Sequence, residues 1–213
     1  MIDTKIKICG LTTPEDAVAC NALGTDYLGI VFEDSPRRVT LESAKKIRAA
    51  VPRANLVGVF ADADQDSIVE AARACKLSMI QLNGHESPEY CEGLLSKTLL
   101  PIVKTFRQHE TWDPARLALY QTISYFLFDL DRPSADPAQK DASRGFWAKA
   151  AKARKMGYRI ILAGGLDPSN VRGAVEATRP YCVDVCHGVE KAPGLKDFEA
   201  VKQFVAEARG CFA

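Results

Sequence analysis

Apolar residues cluster in eight short runs, each bounded by polar or turn-forming residues: Lys5–Cys9, Tyr27–Phe32, Leu56–Phe60, Met79–Leu82, Leu100–Lys104, Tyr125–Asp129, Arg159–Ala163 and Tyr181–Cys186. Runs this short and this continuously apolar predict strands buried on both faces. The segments between them carry apolar residues three and four apart, as at Ala44, Ile47 and Val51 or Ile68, Ala71, Ala72 and Cys75. That period predicts one-sided helices. Four helices are expected to start where a capping side chain precedes proline, at Thr13-Pro14, Ser87-Pro88, Asp113-Pro114 and Asp167-Pro168, because proline fits the first helical position and the cap satisfies a free N–H.

Strict alternation of eight strands with helices predicts an α/β fold, a single closed (β/α)8 TIM barrel over residues 1–213. An open doubly wound sheet is the alternative, but it would have fewer strands and a glycine fingerprint after the first. The polar stretch Asp131–Gly145 follows strand six directly and is expected to be a long loop on the face where barrel active sites lie.

Composition narrows the function classes. With 47% hydrophobic and 26% charged residues the chain reads as an ordinary globular domain able to bury a core. The 28 basic and 27 acidic side chains nearly cancel, so no overall field draws it to nucleic acid or an anionic membrane. The start MIDTKIKICGL lacks a signal peptide's apolar core, and no run reaches the roughly 20 apolar residues of a membrane span; a cytoplasmic location is expected. Seven cysteines without a close C-x-x-C pair point to reduced thiols, not to a disulfide framework.

Strand ends in such a barrel point at the active site. Cys9 closes strand one before Gly10, where a sharp turn would leave its thiol at the mouth with a lowered pKa, able to act as a thiolate base; a packed core cysteine fits the position equally well. Asp129 ends strand six after four apolar residues and offers a proton donor or acceptor, or else a loop cap. Asp184, inside strand eight, reads as a structural partner or a functional group. Arg37, after Pro36, presents a forked grip for a carboxylate or phosphate, while Arg38 is expected to face solvent. Gly164-Gly165 after strand seven and His187-Gly188 after strand eight stand where this fold binds phosphate through backbone N–H groups, His187 adding a possible donor. His85 can be a mouth residue or a helix start, and His109 has no evident role. No ligand spacing for a metal recurs.

Taken in order, Lys7-Ile8-Cys9-Gly10-Leu11-Thr12, Gly29-Ile30-Val31-Phe32 with Ser35-Pro36-Arg37, Val57-Gly58-Val59-Phe60, Ile80-Gln81-Leu82, Leu162-Ala163-Gly164-Gly165-Leu166, and Val183-Asp184-Val185 with Gly188-Val189-Glu190 and Pro193-Gly194 make the chain resemble the phosphoribosylanthranilate isomerase family of tryptophan biosynthesis nearly end to end. The resemblance implies an Amadori rearrangement of N-(5-phosphoribosyl)anthranilate to the 1-amino-1-deoxyribulose phosphate. It implies Cys9 as the base at sugar C2′, Asp129 as the acid at the ring oxygen, and Arg37 as the holder of the anthranilate carboxylate. Backbone around Gly164, Gly165, His187 and Gly188 would hold the phosphate. No metal or organic cofactor would be required, and the partner would be a small phosphosugar, with neither nucleic acid nor membrane; monomer and homodimer both remain open.

Three segments depart from the family's usual pattern. Asn83 stands where a histidine is common, Cys186-His187 where a serine pair is common, and Asp131–Gly145 lacks the usual glycine-rich stretch. They motivate two alternatives: a diverged paralogue isomerising another phosphosugar, and a phosphosugar-binding barrel without catalysis. Turnover of a different aminosugar phosphate would mark the first; binding without turnover would mark the second.

Overall fold

A computed structural model describes residues 4–108, 114–130 and 137–210, with side chains from residue 145 onward in the last segment. His109 and Asp113 lie outside the described residues. Eight parallel strands form a closed barrel in sequence order: β1 (Lys5–Ile8), β2 (Tyr27–Val31), β3 (Leu56–Phe60), β4 (Met79–Leu82), β5 (Ile102–Arg107), β6 (Tyr125–Asp129), β7 (Ile160–Ala163) and β8 (Cys182–Val185). Closure comes from β1 against β8, with Lys5 opposite Cys182 and Lys7 opposite Asp184. Each strand is followed by a helix: α1 (Pro14–Ala22), α2 (Leu41–Ala50), α3 (Gln65–Ala74), α4 (Pro88–Thr98), α5 (Pro114–Leu119), α6 (Pro137–Lys155), α7 (Val171–Thr178) and α8 (Phe198–Arg209).

Strand alternation divides the buried residues into two layers. Ile6, Ile8, Leu28, Ile30, Ile80 and Leu82 pack outward with the apolar faces of the helices. Val57, Met79, Val103, Leu127, Ile161 and Cys182 form a second cluster of strand residues that fills the barrel. Fully burying one such side chain contributes about 1.5–3 kcal/mol, so the alternation fixes which face of each strand points inward.

Thr13 and Ser87 cap α1 and α4 as expected, their hydroxyl oxygens accepting from the N–H groups of Asp16 and Tyr90. Three local expectations are corrected. Strand five begins at Ile102, not Leu100, and runs on to Arg107: Leu99 ends α4 in a left-handed conformation, and Pro101 has no N–H for a ladder. The helix expected at Pro168 begins at Val171, because Asp167 accepts from the N–H and hydroxyl of Ser169 and holds a separate turn. The loop expected through Gly145 gives way at Pro137 to α6; proline at the first position and a run of Ala, Gln and Lys favour helix there. A short antiparallel hairpin, β9 (Glu190–Ala192) with β10 (Leu195–Lys196), was not anticipated.

One buried arginine joins two helix ends at the face opposite the mouth. Arg48 donates from Nε to the Cys75 carbonyl, from Nη1 to those of Val51, Pro52 and Ala54, and from Nη2 to that of Lys76. It thereby satisfies carbonyls that the C-termini of α2 and α3 leave free.

Candidate active site

At the C-terminal ends of the strands lies a cavity of about 380 Å³, whose lining includes Cys9, Arg37, Asp129, Gly164, Gly165, Asp184 and His187. One space therefore brings together residues from β1, β6, β8 and the loops after β2, β7 and β8. Asp184 lines it too, so its position is compatible with both the structural and the functional reading.

Cys9 is 7% exposed and packs with Val31, Val59 and the half-buried Cys186. Glycine on the neighbouring strand makes the room: a Cβ on Gly29 would fall 2.7 Å from the Cys9 sulfur and 3.0 Å from its Cα. Gly10 turns the chain immediately afterwards with φ of 76°, a conformation open to glycine at no steric cost. Below the thiol, Lys7 donates from Nζ to Asp184 Oδ2 at 2.7 Å, with both side chains nearly inaccessible. The same ammonium acts electrostatically on the Cys9 thiol and favours its ionised form. Burial disfavours the Lys7 charge, but Asp184 and Cys9 together outweigh it and hold the ammonium protonated.

The expectation of a lowered Cys9 pKa is not met in the free protein. Burial pushes the thiol up, the Lys7 ammonium pulls it down, Asp184 pushes it up again, and the net direction is upward. Desolvation of a thiolate is the larger effect until something positive enters the cavity.

Asp129 sits half-buried at the end of β6, level with Ala163 of β7. Gly164 follows with φ of 81° and Gly165 with φ of 60°; a Cβ on Gly164 would lie 2.6 Å from Asp129 Oδ1 and overlap the Leu130 backbone. Glycine is thus required both for the turn and for the aspartate's space. Neither glycine's N–H is engaged by another described group. Asn170 pins this loop by donating to the Gly165 carbonyl at 2.8 Å and accepting from Asp167 N at 2.9 Å. Two adjacent free N–H groups suit an anion.

Arg37 is held by a residue that sequence reasoning missed. Its Nε donates to Glu190 Oε1 and Oε2 at 2.9 and 3.0 Å, and its Nη2 to Oε2 at 2.5 Å. Glu190 also accepts from Lys196 Nζ at 2.9 Å and from Gly194 N at 3.2 Å. Burial opposes the Glu190 charge, yet Arg37 and Lys196 hold its carboxyl below the usual range. Arg37 Nη1 has no partner among the described residues, leaving one edge of the fork for a ligand. Arg38 is exposed, as expected.

The departures at strand four resolve into separate places. Asn83 lines the cavity, whereas His85 lies outside that lining with its side chain 91% exposed beside Asp62. Behind the loop, Glu86 and Lys104 form a buried pair at 2.9 Å, and Glu86 Oε1 accepts from Asp62 N and Gly84 N. Lys7, Gln81, Glu190 and Lys196 were missed as parts of the site, whereas Asn83 was singled out only as a departure from the family's pattern. The signal available for Lys7 was a lysine inside an apolar strand, with an aspartate likewise inside strand eight. Among the described residues, no group of three or more His, Cys, Asp or Glu side chains is arranged to hold a metal.

Residues 6–207 match the family described as N-(5′-phosphoribosyl)anthranilate (PRA) isomerase. An N-(5′-phosphoribosyl)anthranilate isomerase of Geobacter sp. (strain M21) is 44% identical over 208 residues, covering 97% of this chain and 98% of its own. The crystal structure of phosphoribosyl anthranilate isomerase from Thermotoga maritima superposes with a TM-score of 0.86 at 32% identity, covering 97% of this chain and 99% of that one. A phosphoribosyl anthranilate isomerase in complex with reduced 1-(o-carboxyphenylamino)-1-deoxyribulose 5-phosphate superposes with a TM-score of 0.75 at 30% identity, with the same coverage.

Proposed function

The chain belongs to the N-(5′-phosphoribosyl)anthranilate isomerase family, and from that premise we propose that its barrel mouth isomerises N-(5′-phosphoribosyl)anthranilate with Cys9 as base and Asp129 as acid. The observation that carries this reading is the convergence of a thiol, a carboxyl group, a half-free arginine fork and a glycine turn on one cavity.

Asp129, protonated, gives its proton to the ribose ring oxygen as the bond to C1′ breaks, leaving an open-chain iminium. Cys9 thiolate removes the C2′ proton, and the electron pair moves toward nitrogen to give the enol-amine. Loss of the 2′-hydroxyl proton and gain of one at C1′ then yield the keto-amine. Protons balance over the cycle, since Asp129 loses one, Cys9 gains one, and solvent exchange restores both. The iminium supplies the electron sink, so the reading invokes neither metal nor organic cofactor. It also supplies positive charge beside a buried thiol whose ionisation burial resists; with the Lys7 ammonium already there, the thiolate is favoured when substrate is present.

Arg37 Nη1 faces the role of gripping the anthranilate carboxylate, with Glu190 fixing the fork. The N–H groups of Gly164 and Gly165, with His187 and Gly188, are assigned to the phosphate, in the position where this fold binds such groups. Exchange of hydroxyl side chains at positions 186 and 187 leaves backbone donation intact. The reading includes residues 1–213 as one barrel domain acting in the cytoplasm on a small phosphosugar. Purified protein should consume phosphoribosylanthranilate with a change in anthranilate fluorescence, and its gene should restore growth of a tryptophan-requiring strain lacking this isomerase. Absence of both would overturn the proposal and revive a phosphosugar-binding barrel or a different substrate.

A further inference from the structure

Two buried side-chain oxygens of residues that line the cavity have no hydrogen-bond partner among the described residues: Asp184 Oδ1 and Gln81 Oε1. An acceptor left unpaired in a dry site costs about 1–3 kcal/mol, and its place in a cavity marks where a ligand's donor belongs. Gln81, only 4% exposed on β4, is the more informative of the two, because its neighbours decide which end of its amide is free.

Glu33 can only accept, so Asn83 turns its NH2 toward Glu33 Oε1 at 2.9 Å. Asn83 Oδ1 then faces the other way, accepting from the buried Thr105 hydroxyl at 2.7 Å and from Gln81 Nε2 at 3.0 Å. With Nε2 committed to Asn83, Oε1 is the atom Gln81 has left. The asparagine at position 83 thus propagates the acceptor character of Glu33 through two amides into the cavity.

We infer that Gln81, oriented by the Glu33–Asn83–Thr105 network, is a substrate-binding residue whose Oε1 accepts a hydrogen bond from a hydroxyl of the sugar. The inference rests on the function proposed above and deepens it. A free carbonyl oxygen backed by Glu33 repels carboxylate and phosphate, so neither anionic end of the substrate belongs on this side of the mouth. The bridging N–H is engaged by the ortho carboxylate of the anthranilate ring itself. Sugar hydroxyls are the donors that remain. The anions then lie toward Arg37 and the Gly164-Gly165 turn, with the sugar against β4.

The test compares wild type, Gln81→Met, Asn83→Ala and the double variant. Each is measured for steady-state turnover of phosphoribosylanthranilate and for binding of the reduced deoxyribulose phosphate analogue, with thermal melting as the check on folding. Loss of one neutral hydrogen bond predicts KM and analogue Kd raised about three- to tenfold in Gln81→Met, with kcat changed less than about twofold. Asn83→Ala should move both in the same direction, and the double variant should be no worse than Gln81→Met, since Asn83 acts through Gln81. Unchanged KM and Kd in Gln81→Met overturn the inference, and multiplying effects in the double variant overturn the role of Asn83. If Gln81→Met fails to fold, a crystal structure of wild type with the analogue decides: a sugar hydroxyl within about 3.0 Å of Gln81 Oε1 supports the inference, and its absence refutes it. Wild type without turnover overturns the proposed function and this inference with it; turnover insensitive to Gln81 overturns the inference alone.

Discussion

Replacing Glu190 by glutamine removes one charge and leaves shape almost unchanged, yet the structure makes this a severe substitution. The Glu190 carboxylate is 3% exposed and lies between the Arg37 guanidinium and Lys196 Nζ, itself inaccessible. Without the negative charge, two cations face each other across a neutral amide, and the other acceptor for Lys196 Nζ among the described residues is the uncharged Cys186 carbonyl at 3.3 Å. Breaking a buried pair by removing one partner costs about 3–5 kcal/mol. For a chain of this length each kcal/mol lowers Tm by about 2–4 °C, so the expected fall is roughly 6–20 °C. Function should suffer separately, because an amide with a single acceptor oxygen cannot hold both Nε and Nη2 of Arg37 as the carboxylate does; KM should rise about tenfold with a smaller change in kcat. Calorimetric melting and steady-state kinetics at pH 7 measure the two effects. A Tm within about 2 °C of wild type together with an unchanged KM would refute the view that Glu190 supports both the fold and the arginine.

Gly29→Ala should reduce kcat at least about tenfold while the barrel still melts cooperatively, since its Cβ would fall 2.7 Å from the Cys9 sulfur and displacing a reacting group by a fraction of an ångström is costly; an active alanine variant would show that Cys9 has slack. Arg48→Met should lower stability by about 2–4 kcal/mol through five orphaned carbonyls and leave turnover at 25 °C unchanged, as denaturant melts and an activity assay would check. Burial raises the Cys9 pKa, so its folded value exceeds its unfolded one. Its contribution to stability is then full below the unfolded thiol pKa and is lost as pH rises through the folded value. Alkylation of Cys9 in the free protein should accordingly be slower at pH 8 than that of an ordinary thiol, and mass spectrometry showing faster labelling would contradict this.

Much of the architecture was legible because it is local. Eight apolar runs and the Thr13 and Ser87 caps depend on residues a few positions apart, and they appear where expected. Strand five slipped because Leu100 is apolar although Pro101 keeps it out of the ladder. α7 slipped because Asp167 caps a turn in place of the helix. Cys9, Asp129, Arg37 and the Gly164-Gly165 turn were singled out by their places at or after strand ends, and all of them line one cavity. Their supports were not: Lys7 meets Asp184 across 177 residues of sequence and Arg37 meets Glu190 across 153, contacts that exist only once the barrel closes. Cys9 shows the limit most clearly. Its position was readable, but its ionisation depends on how burial weighs against Lys7 and Asp184, which spacing does not record.

The most direct test of the account is single-turnover consumption of phosphoribosylanthranilate by wild type, Cys9→Ala and Asp129→Asn, each first shown to bind the reduced product analogue. Acid–base partners contribute about 10²- to 10⁴-fold each. The account therefore predicts rapid loss of substrate in wild type and at least a hundredfold slower loss in both variants, with analogue affinity retained. Turnover by Cys9→Ala within a few-fold of wild type would contradict it, because a group other than Cys9 would then have to be the base at C2′.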